Sequence, residues 1–154
     1  MTGGGVLVVG YGNTLRTDDG AGWHAATLLA DDPRLAGAWV LARHQLTPEL
    51  AADVARASLA VFIDACQGAG DPGFVMAQPV APSDRPGAWT HHVDPAAILG
   101  LASALYGSAP PAILVSVTAA SLDVGDRLSP LLQAALPTVV DTVIRLIDEH
   151  EPAR

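Results

Sequence analysis

The stretch VLVVGYGNTLRTDDGAG, residues 6–22, decides the fold. Residues 6–9 form an apolar run flanked by glycine, which is the pattern of a strand buried on both faces of a parallel sheet. A glycine-rich loop with two adjacent carboxylates, Asp18 and Asp19, follows this run. Residues at helical spacing then predict a helix over residues 20–30. A buried strand that leads through a loop into a helix is the first unit of an α/β protein.

The rest of the chain repeats this alternation of strand and helix. Apolar runs predict further strands at residues 39–42, 59–64, 74–78 and 112–118, with a turn at 71–73 and a surface loop at 79–88. Three pairs of a capping residue and a proline predict helices over residues 47–57, 94–106 and 129–150. We therefore expect a single domain, residues 1–154, built as a three-layer α/β/α sandwich around a twisted, mostly parallel sheet.

The composition argues against several classes of protein. Of the 154 residues, 50% are hydrophobic but only 5% are aromatic, so the core must be aliphatic. The net charge is −8, and the eight basic residues, all arginine, form no cluster that would bind nucleic acid or an anionic membrane. No signal-peptide pattern and no uninterrupted run of ~18 apolar residues occurs, and the single cysteine, Cys66, has no internal disulfide partner. We expect a cytoplasmic protein without nucleic-acid or membrane partners.

Side chains that can bind a metal fall near the carboxyl edge of the predicted sheet. Asp19 follows the first strand, and Asp64 ends the third. His91 and His92 stand just before a predicted helix. Sites in open α/β sheets form outside the carboxyl ends of the strands. Two carboxylates and an imidazole suit a borderline divalent ion such as nickel, zinc or manganese, and the residues alone do not choose among these metals.

The first loop has two competing interpretations. A strand that leads into Gly-x-Gly suggests a dinucleotide fingerprint, but Leu15 stands where the third glycine is needed. Asp18 and Asp19 would also repel a phosphate at the start of the helix. The second interpretation is that one of these two carboxylates, or both, only caps the helix.

Other side chains allow different chemistry. Cys66, with an imidazole from residues 91–92 as base, could act as a thiolate nucleophile, although a small apolar role beside the strand end is the simpler interpretation. His44 follows the second predicted strand and is a minor candidate for the same edge. His24, on a predicted helix, and His150, near the end of the chain, are expected on the surface.

Five segments, taken in order, resemble the nickel–iron (NiFe) hydrogenase maturation endopeptidases, peptidase family M52 of the HybD and HycI type. The segments are GYGNTLRTDDGAG (10–22), LTPEL (46–50), FIDA with DPG (62–65 and 71–73), THHV (90–93), and SL with LSP (121–122 and 128–130). The similarity covers residues 5–147. Single motifs are modest, but the ordered set is specific.

The resemblance implies a phosphorylase/hydrolase-like fold and a metal-dependent or aspartyl-type endopeptidase. Such an enzyme removes the C-terminal extension of a NiFe-hydrogenase large-subunit precursor after nickel has been inserted. The catalytic and metal-contacting roles fall on Asp19, Asp64 and His91, with His92 as the alternative imidazole, and the nickel is supplied by the bound substrate.

Gly12, Asn13 and Asp18, in the first loop, are expected to contact the substrate. Two alternatives to the maturation endopeptidase stay open. One is a non-enzymatic nickel-binding chaperone or sensor that uses the same ligands, and the other is a cysteine peptidase that uses Cys66.

Overall fold

The structure is a computed structural model that describes residues 5–68, 70–84 and 93–150. Strands and helices alternate along the chain in the predicted order. The strands are β1 (Val6–Tyr11), β2 (Trp39–Arg43), β3 (Leu59–Cys66), β4 (Val75–Pro79) and β5 (Ala112–Thr118). The α-helices are α1 (Ala21–Ala30), α2 (Leu50–Ala55), α3 (Pro95–Tyr106) and α4 (Pro130–His150), and short 3-10 helices cover Thr17–Gly20 and Pro33–Leu35.

The described strands form one sheet in the order β2-β1-β3-β5-β4. β1 pairs in parallel with β2 and β3, and β3 pairs in parallel with β5, whereas β4 runs antiparallel to β5. The prediction of a mostly parallel sheet is therefore confirmed. The loop predicted at residues 79–88 begins one residue late because β4 includes Pro79, and its residues 85–88 lie outside the described ranges.

Helices cover both faces of the sheet, which confirms the three-layer sandwich. α1 and α4 pack on the face that carries Val61, and α2 and α3 pack on the opposite face, which carries Val9 and Phe62. Side chains alternate between the two faces along a strand. Tyr11 and Asp64 therefore continue the α2/α3 face, beyond Val9 and Phe62, at the carboxyl edge of the sheet.

The start of α2 differs from the prediction. The Thr47-Pro48 pair predicts a capped helix over residues 47–57, but α2 is shorter and begins at Leu50. The carbonyl oxygens of Thr47 and Pro48 accept hydrogen bonds from the N–H groups three residues later, at 3.1 Å each, so this pair forms a tight turn. By contrast, Asp94 caps α3 as predicted, because its carboxylate accepts a 2.8 Å hydrogen bond from the N–H of Ala97.

α4 packs as a core helix. By length and composition alone its 21 residues are apolar enough to cross a membrane, which is weak evidence that they do. Leu132, Val139, Val143 and Ile147 are all buried in the cluster that joins α4 to α1 and the sheet. Their spacing of four or seven residues is that of one apolar helix face turned to a protein core.

Candidate active site at the carboxyl edge of the sheet

Close packing at glycine brings the first loop onto the end of β1. A Cβ atom on Gly22 would collide with the carbonyl oxygens of Tyr11 and Ile63, so the start of α1 lies directly against β1 and β3. Gly12, at a φ of +153°, approaches the backbone of Asp19 in the same way. Glycine adopts such a backbone and permits such contacts because it has no Cβ. The loop that carries Asp19 is thereby folded back onto the sheet edge.

Asp19 is half-buried, and its carboxylate is held by the loop backbone. Its Oδ2 accepts a hydrogen bond from the N–H of Asn13 at 2.9 Å. The side-chain Oδ1 of Asn13 in turn accepts a hydrogen bond from the N–H of Leu15, also at 2.9 Å. Gly12 and Asn13 thus position Asp19, while their contacts with a substrate stay a prediction.

Asp64 lies in β3 and shares a hydrogen bond with Tyr11. Its Oδ1 accepts a bond from the N–H of Ala65 at 2.7 Å, and the carboxylate also accepts one from the Tyr11 hydroxyl. Burial raises the pKa of Asp64 to about 7 in spite of these two bonds, and the charge of Asp19 adds to the rise. A carboxyl group with such a pKa exchanges its proton near neutral pH.

Tyr11 is a site residue that the sequence motifs did not predict. Burial raises the pKa of its hydroxyl, and the charges of Asp64, Asp94 and Asp19 add to this rise. Tyr11 therefore lies within electrostatic reach of all three carboxylates and is hydrogen-bonded to one of them, Asp64. The signal that could have found it is the two-residue period of β1, which places Tyr11 on the same face as Val9, just past the buried run.

The predicted imidazole ligands lie outside the described residues. His91 and His92 fall in the gap before Val93, so their roles stay predictions. The chain resumes with Val93, which packs on the α2/α3 cluster, and with Asp94, whose charge acts on Tyr11. Within the described ranges, no group of three or more metal-binding side chains occurs.

Asp18 has a structural role. Its side chain is fully buried. Its Oδ2 accepts hydrogen bonds from the N–H groups of Ala120 and Ser121, at 2.8 and 3.0 Å, and from the Ser129 hydroxyl at 2.8 Å. Its Oδ1 accepts a 2.7 Å bond from the N–H of Ser129. Four donors satisfy this buried carboxylate. We therefore assign Asp18 to the fold, because the geometry does not support its predicted contact with a substrate.

The helix-capping interpretation of Asp18 and Asp19 is wrong. Both residues lie in the 3-10 helix Thr17–Gly20, and α1 begins after Gly20 without a side-chain capping bond. Their carboxylates accept hydrogen bonds from different parts of the chain, residues 120–129 for Asp18 and Asn13 for Asp19. The adjacent pair is thus divided between two roles.

Cys66 lies half-buried at the end of β3. Its Sγ is 3.8 Å from the hydroxyl of Thr118 on the neighbouring strand β5. Because alternate residues of a strand share a face, Cys66 follows Asp64 on the α2/α3 side of the sheet. The histidines expected to act as its base, His91 and His92, lie outside the described residues, so the cysteine-peptidase alternative stays a prediction.

The location of one other histidine, His24, differs from the prediction. His24, expected on the surface, is half-buried because one side of α1 is covered, and burial lowers its pKa. Its Nε2 is buried, with no hydrogen-bond partner in the described ranges. His150 is exposed, as expected. His44 follows β2 and stacks on Trp23, with 6.3 Å between the ring centroids.

The fold matches solved structures of hydrogenase maturation endopeptidases. The hydrogenase maturating endopeptidase HybD from E. coli superposes with a TM-score of 0.72 at 27% identity, over 94% of this chain and 93% of that one. HycI, a hydrogenase maturation protease from Thermococcus kodakarensis KOD1, gives a TM-score of 0.73 at 18% identity, over 95% and 94% of the two chains.

A hydrogenase 2 maturation peptidase from Thaumarchaeota archaeon SCGC_AB-539-E09 gives a TM-score of 0.68 at 22% identity, over 93% of this chain and 97% of that one. No protein-family profile and no curated protein matches the sequence. The resemblance that the sequence motifs predict is therefore confirmed through the fold, over nearly the whole length of these proteins.

Proposed function

We propose that this chain is an endopeptidase that removes the C-terminal extension of a nickel-loaded NiFe-hydrogenase large-subunit precursor in the cytoplasm. The observation that carries the proposal is the convergence of Asp19 and Asp64 at the carboxyl edge of the sheet, where the loop of Asp19 packs on the end of β1 and Asp64 lies on the neighbouring strand β3. This convergence occurs in a fold that the chain shares with hydrogenase maturation endopeptidases over more than nine-tenths of its length.

The electrostatics of the site favour a cationic substrate group. The ion pairs of the described residues lie elsewhere, on Asp32, Asp53, Asp141 and Glu149. At the candidate site burial raises the pKa of Asp64, and the charge of Asp19 adds to this rise because the two carboxylates repel each other. A metal ion carried by the precursor would relieve this repulsion, whereas a precursor without metal would not.

Nickel enters this proposal as the cargo of the substrate. Asp19, Asp64 and His91 would contact it, with His92 as the alternative imidazole. The two carboxylates of this donor set fit, because carboxylate oxygens are ligands for divalent cations, and an imidazole from residues 91–92 would add the nitrogen donor that suits nickel. Bound there, nickel would supply the Lewis acidity that polarises the scissile carbonyl group.

The residues of the chain orient both carboxylates in advance. The Tyr11 hydroxyl and the N–H of Ala65 bind the ionised form of Asp64, and the N–H of Asn13 binds Asp19. Ligands fixed in this way lose little freedom when the substrate arrives. Asp64 must also give up its proton before it can contact a cation, because the charged carboxylate is the ligand.

The test is the intact mass of nickel-loaded and nickel-free precursor after incubation with the protein. We expect loss of a C-terminal peptide from the loaded precursor alone. Asp19→Ala, Asp64→Ala and His91→Ala should each slow this loss at least about 100-fold, with far-ultraviolet circular dichroism as the check that each variant is folded.

The outcomes separate the alternatives. Normal processing by all three variants would show that the site is wrong. Tight binding of nickel or of loaded precursor without any change in mass would identify a chaperone or sensor. Loss of processing in Cys66→Ala, with the three ligand variants active, would identify a cysteine peptidase.

A further inference from the structure

Two loops at the carboxyl edge, residues 15–17 and 123–125, are joined by backbone hydrogen bonds. The N–H of Gly125 donates to the carbonyl of Leu15, and the N–H of Thr17 donates to the carbonyl of Gly125, both at 3.0 Å. This exchange is a parallel β-bridge. The two segments, which we call the paired loops, therefore form one structural unit.

The paired loops are fixed in one conformation. Thr17 has a φ of +51°, which is unfavourable for a β-branched residue. Its hydroxyl donates a 2.6 Å hydrogen bond to the carbonyl of Asp123. Beside it, the buried Asp18 carboxylate accepts its four bonds from residues 120–129. A strained residue persists only where its surroundings determine it, so these bonds hold the two loops together.

The paired loops present two neighbouring apolar side chains to solvent. Leu15 is 64% exposed and Val124 is 93% exposed. The parallel bridge pairs Arg16 with Gly125, so the preceding positions, Leu15 and Val124, are neighbours in the backbone register. Single exposed apolar residues are common and need no partner. Two apolar residues on a backbone that is already fixed lose less conformational entropy on binding than residues on a mobile loop. We call this pair the apolar ridge.

The apolar ridge is continuous with the candidate active site. The N–H of Leu15 donates to Asn13, and the N–H of Asn13 donates to the carboxylate of Asp19. A folded substrate that brings a peptide bond to Asp19 must also cover the surface next to it.

We propose that the apolar ridge, Leu15 and Val124, docks onto an apolar patch of the folded precursor beside the segment that is cleaved. This inference rests on the proposed function, because its occupant is the substrate of that reaction. It adds a recognition surface that is separate from the metal-contacting carboxylates.

The experiment measures KM and kcat for nickel-loaded precursor with Leu15→Ser, Val124→Ser and the double variant. Each single change should raise KM about tenfold and the double change about 100-fold, with kcat within about twofold of the wild-type value. The matched control is Leu105→Ser. Leu105 is 63% exposed, close to the value for Leu15, but it lies near the far end of α3. The KM of the Leu105→Ser variant should equal that of the wild type.

Two kinetic results would overturn the inference. One is a double-variant KM within twofold of wild type while Asp64→Ala stays inactive, in which case the proposed function stands without the ridge. The other is a fall in kcat at unchanged KM, which would mean that the paired loops only position Asp19. If the wild type processes no precursor, binding of loaded precursor to wild type and double variant, measured by interferometry, decides the matter. A tenfold or greater loss of affinity supports the ridge, and equal affinity refutes it.

Discussion

Asp64→Asn should stabilise the protein at pH 8, although it removes a group that the proposed reaction needs. In the folded protein, burial raises the pKa of Asp64 from 3.8 to about 7, while the unfolded chain keeps the ordinary value. Between these pH values the folded state holds a proton that the unfolded state has lost. The stability of the wild type therefore falls as the pH rises from about 4 to about 7, and this contribution is then constant.

The expected size of the effect follows from the same shift. The loss of stability runs from pH 5 to the folded-state pKa of about 7, a range of about two pH units, and stops above it. At roughly 1.36 kcal/mol per pH unit, the free energy of unfolding of the wild type falls by about 3 kcal/mol between pH 5 and pH 8. Asparagine has no titrating proton, yet its amide oxygen can still accept a hydrogen bond from Tyr11 or from the N–H of Ala65. The free energy of unfolding of Asp64→Asn, relative to wild type, should therefore rise by about 3 kcal/mol between pH 5 and pH 8.

Urea unfolding followed by circular dichroism, at pH 5 and pH 8 in a buffer with chelator, measures this difference. Asp71→Asn is the control, because Asp71 is exposed and its replacement should change stability by less than about 0.5 kcal/mol at either pH. If the difference in free energy of unfolding between Asp64→Asn and the wild type is the same at both pH values, the reasoning is refuted, because Asp64 would then titrate at its ordinary pKa in the folded protein.

Three further predictions concern single side chains. Asp18→Asn places an amide donor against the four donors around Asp18. The free energy of unfolding should therefore fall by about 2–4 kcal/mol and the calorimetric Tm by roughly 10 °C. Asp126→Asn, at an exposed position, should leave both unchanged. Tyr11→Phe removes a hydrogen bond that favours ionised Asp64, so the pKa of Asp64 should rise further. The loss of stability with rising pH, measured by urea unfolding, should then extend above pH 7, and a pH dependence identical to that of the wild type would contradict this. Cys66→Ala should process precursor within about twofold of wild type; a complete loss would favour the cysteine peptidase.

Much of the fold was predictable because its signals are local. A buried apolar run such as Val6–Val9, or an Asp-Pro pair such as Asp94-Pro95, specifies its element through residues within a few positions. Topology then placed Asp19 and Asp64 at one edge without any knowledge of contacts. The Thr47-Pro48 pair shows the limit of this approach, because the same local pattern formed a turn.

The details of the site were not predictable because they depend on register and on distant partners. Gly10 pairs with Ile63, and this register sets Tyr11 beside Asp64. Asp18 and Asp19 look alike in the sequence, but Asp18 finds its partners 102 to 111 residues away, whereas Asp19 bonds to Asn13, six residues before it. Such partners exist only in the folded chain, so the sequence could not tell which carboxylate was structural.

The instability that Asp64 introduces and the function proposed for it have the same electrostatic origin. A carboxylate that is buried next to another carboxylate resists ionisation, and free energy is recovered when a cation binds to the charged form. A precursor without metal brings no such charge, so Asp64 stays partly protonated near neutral pH. A loaded precursor both draws the proton away and gains the interaction. On the proposed function, the burial of Asp64, to which repulsion by Asp19 adds, is therefore the physical basis on which the protein would distinguish the two precursors, and the hydrogen bond from Tyr11 limits how far the pKa rises.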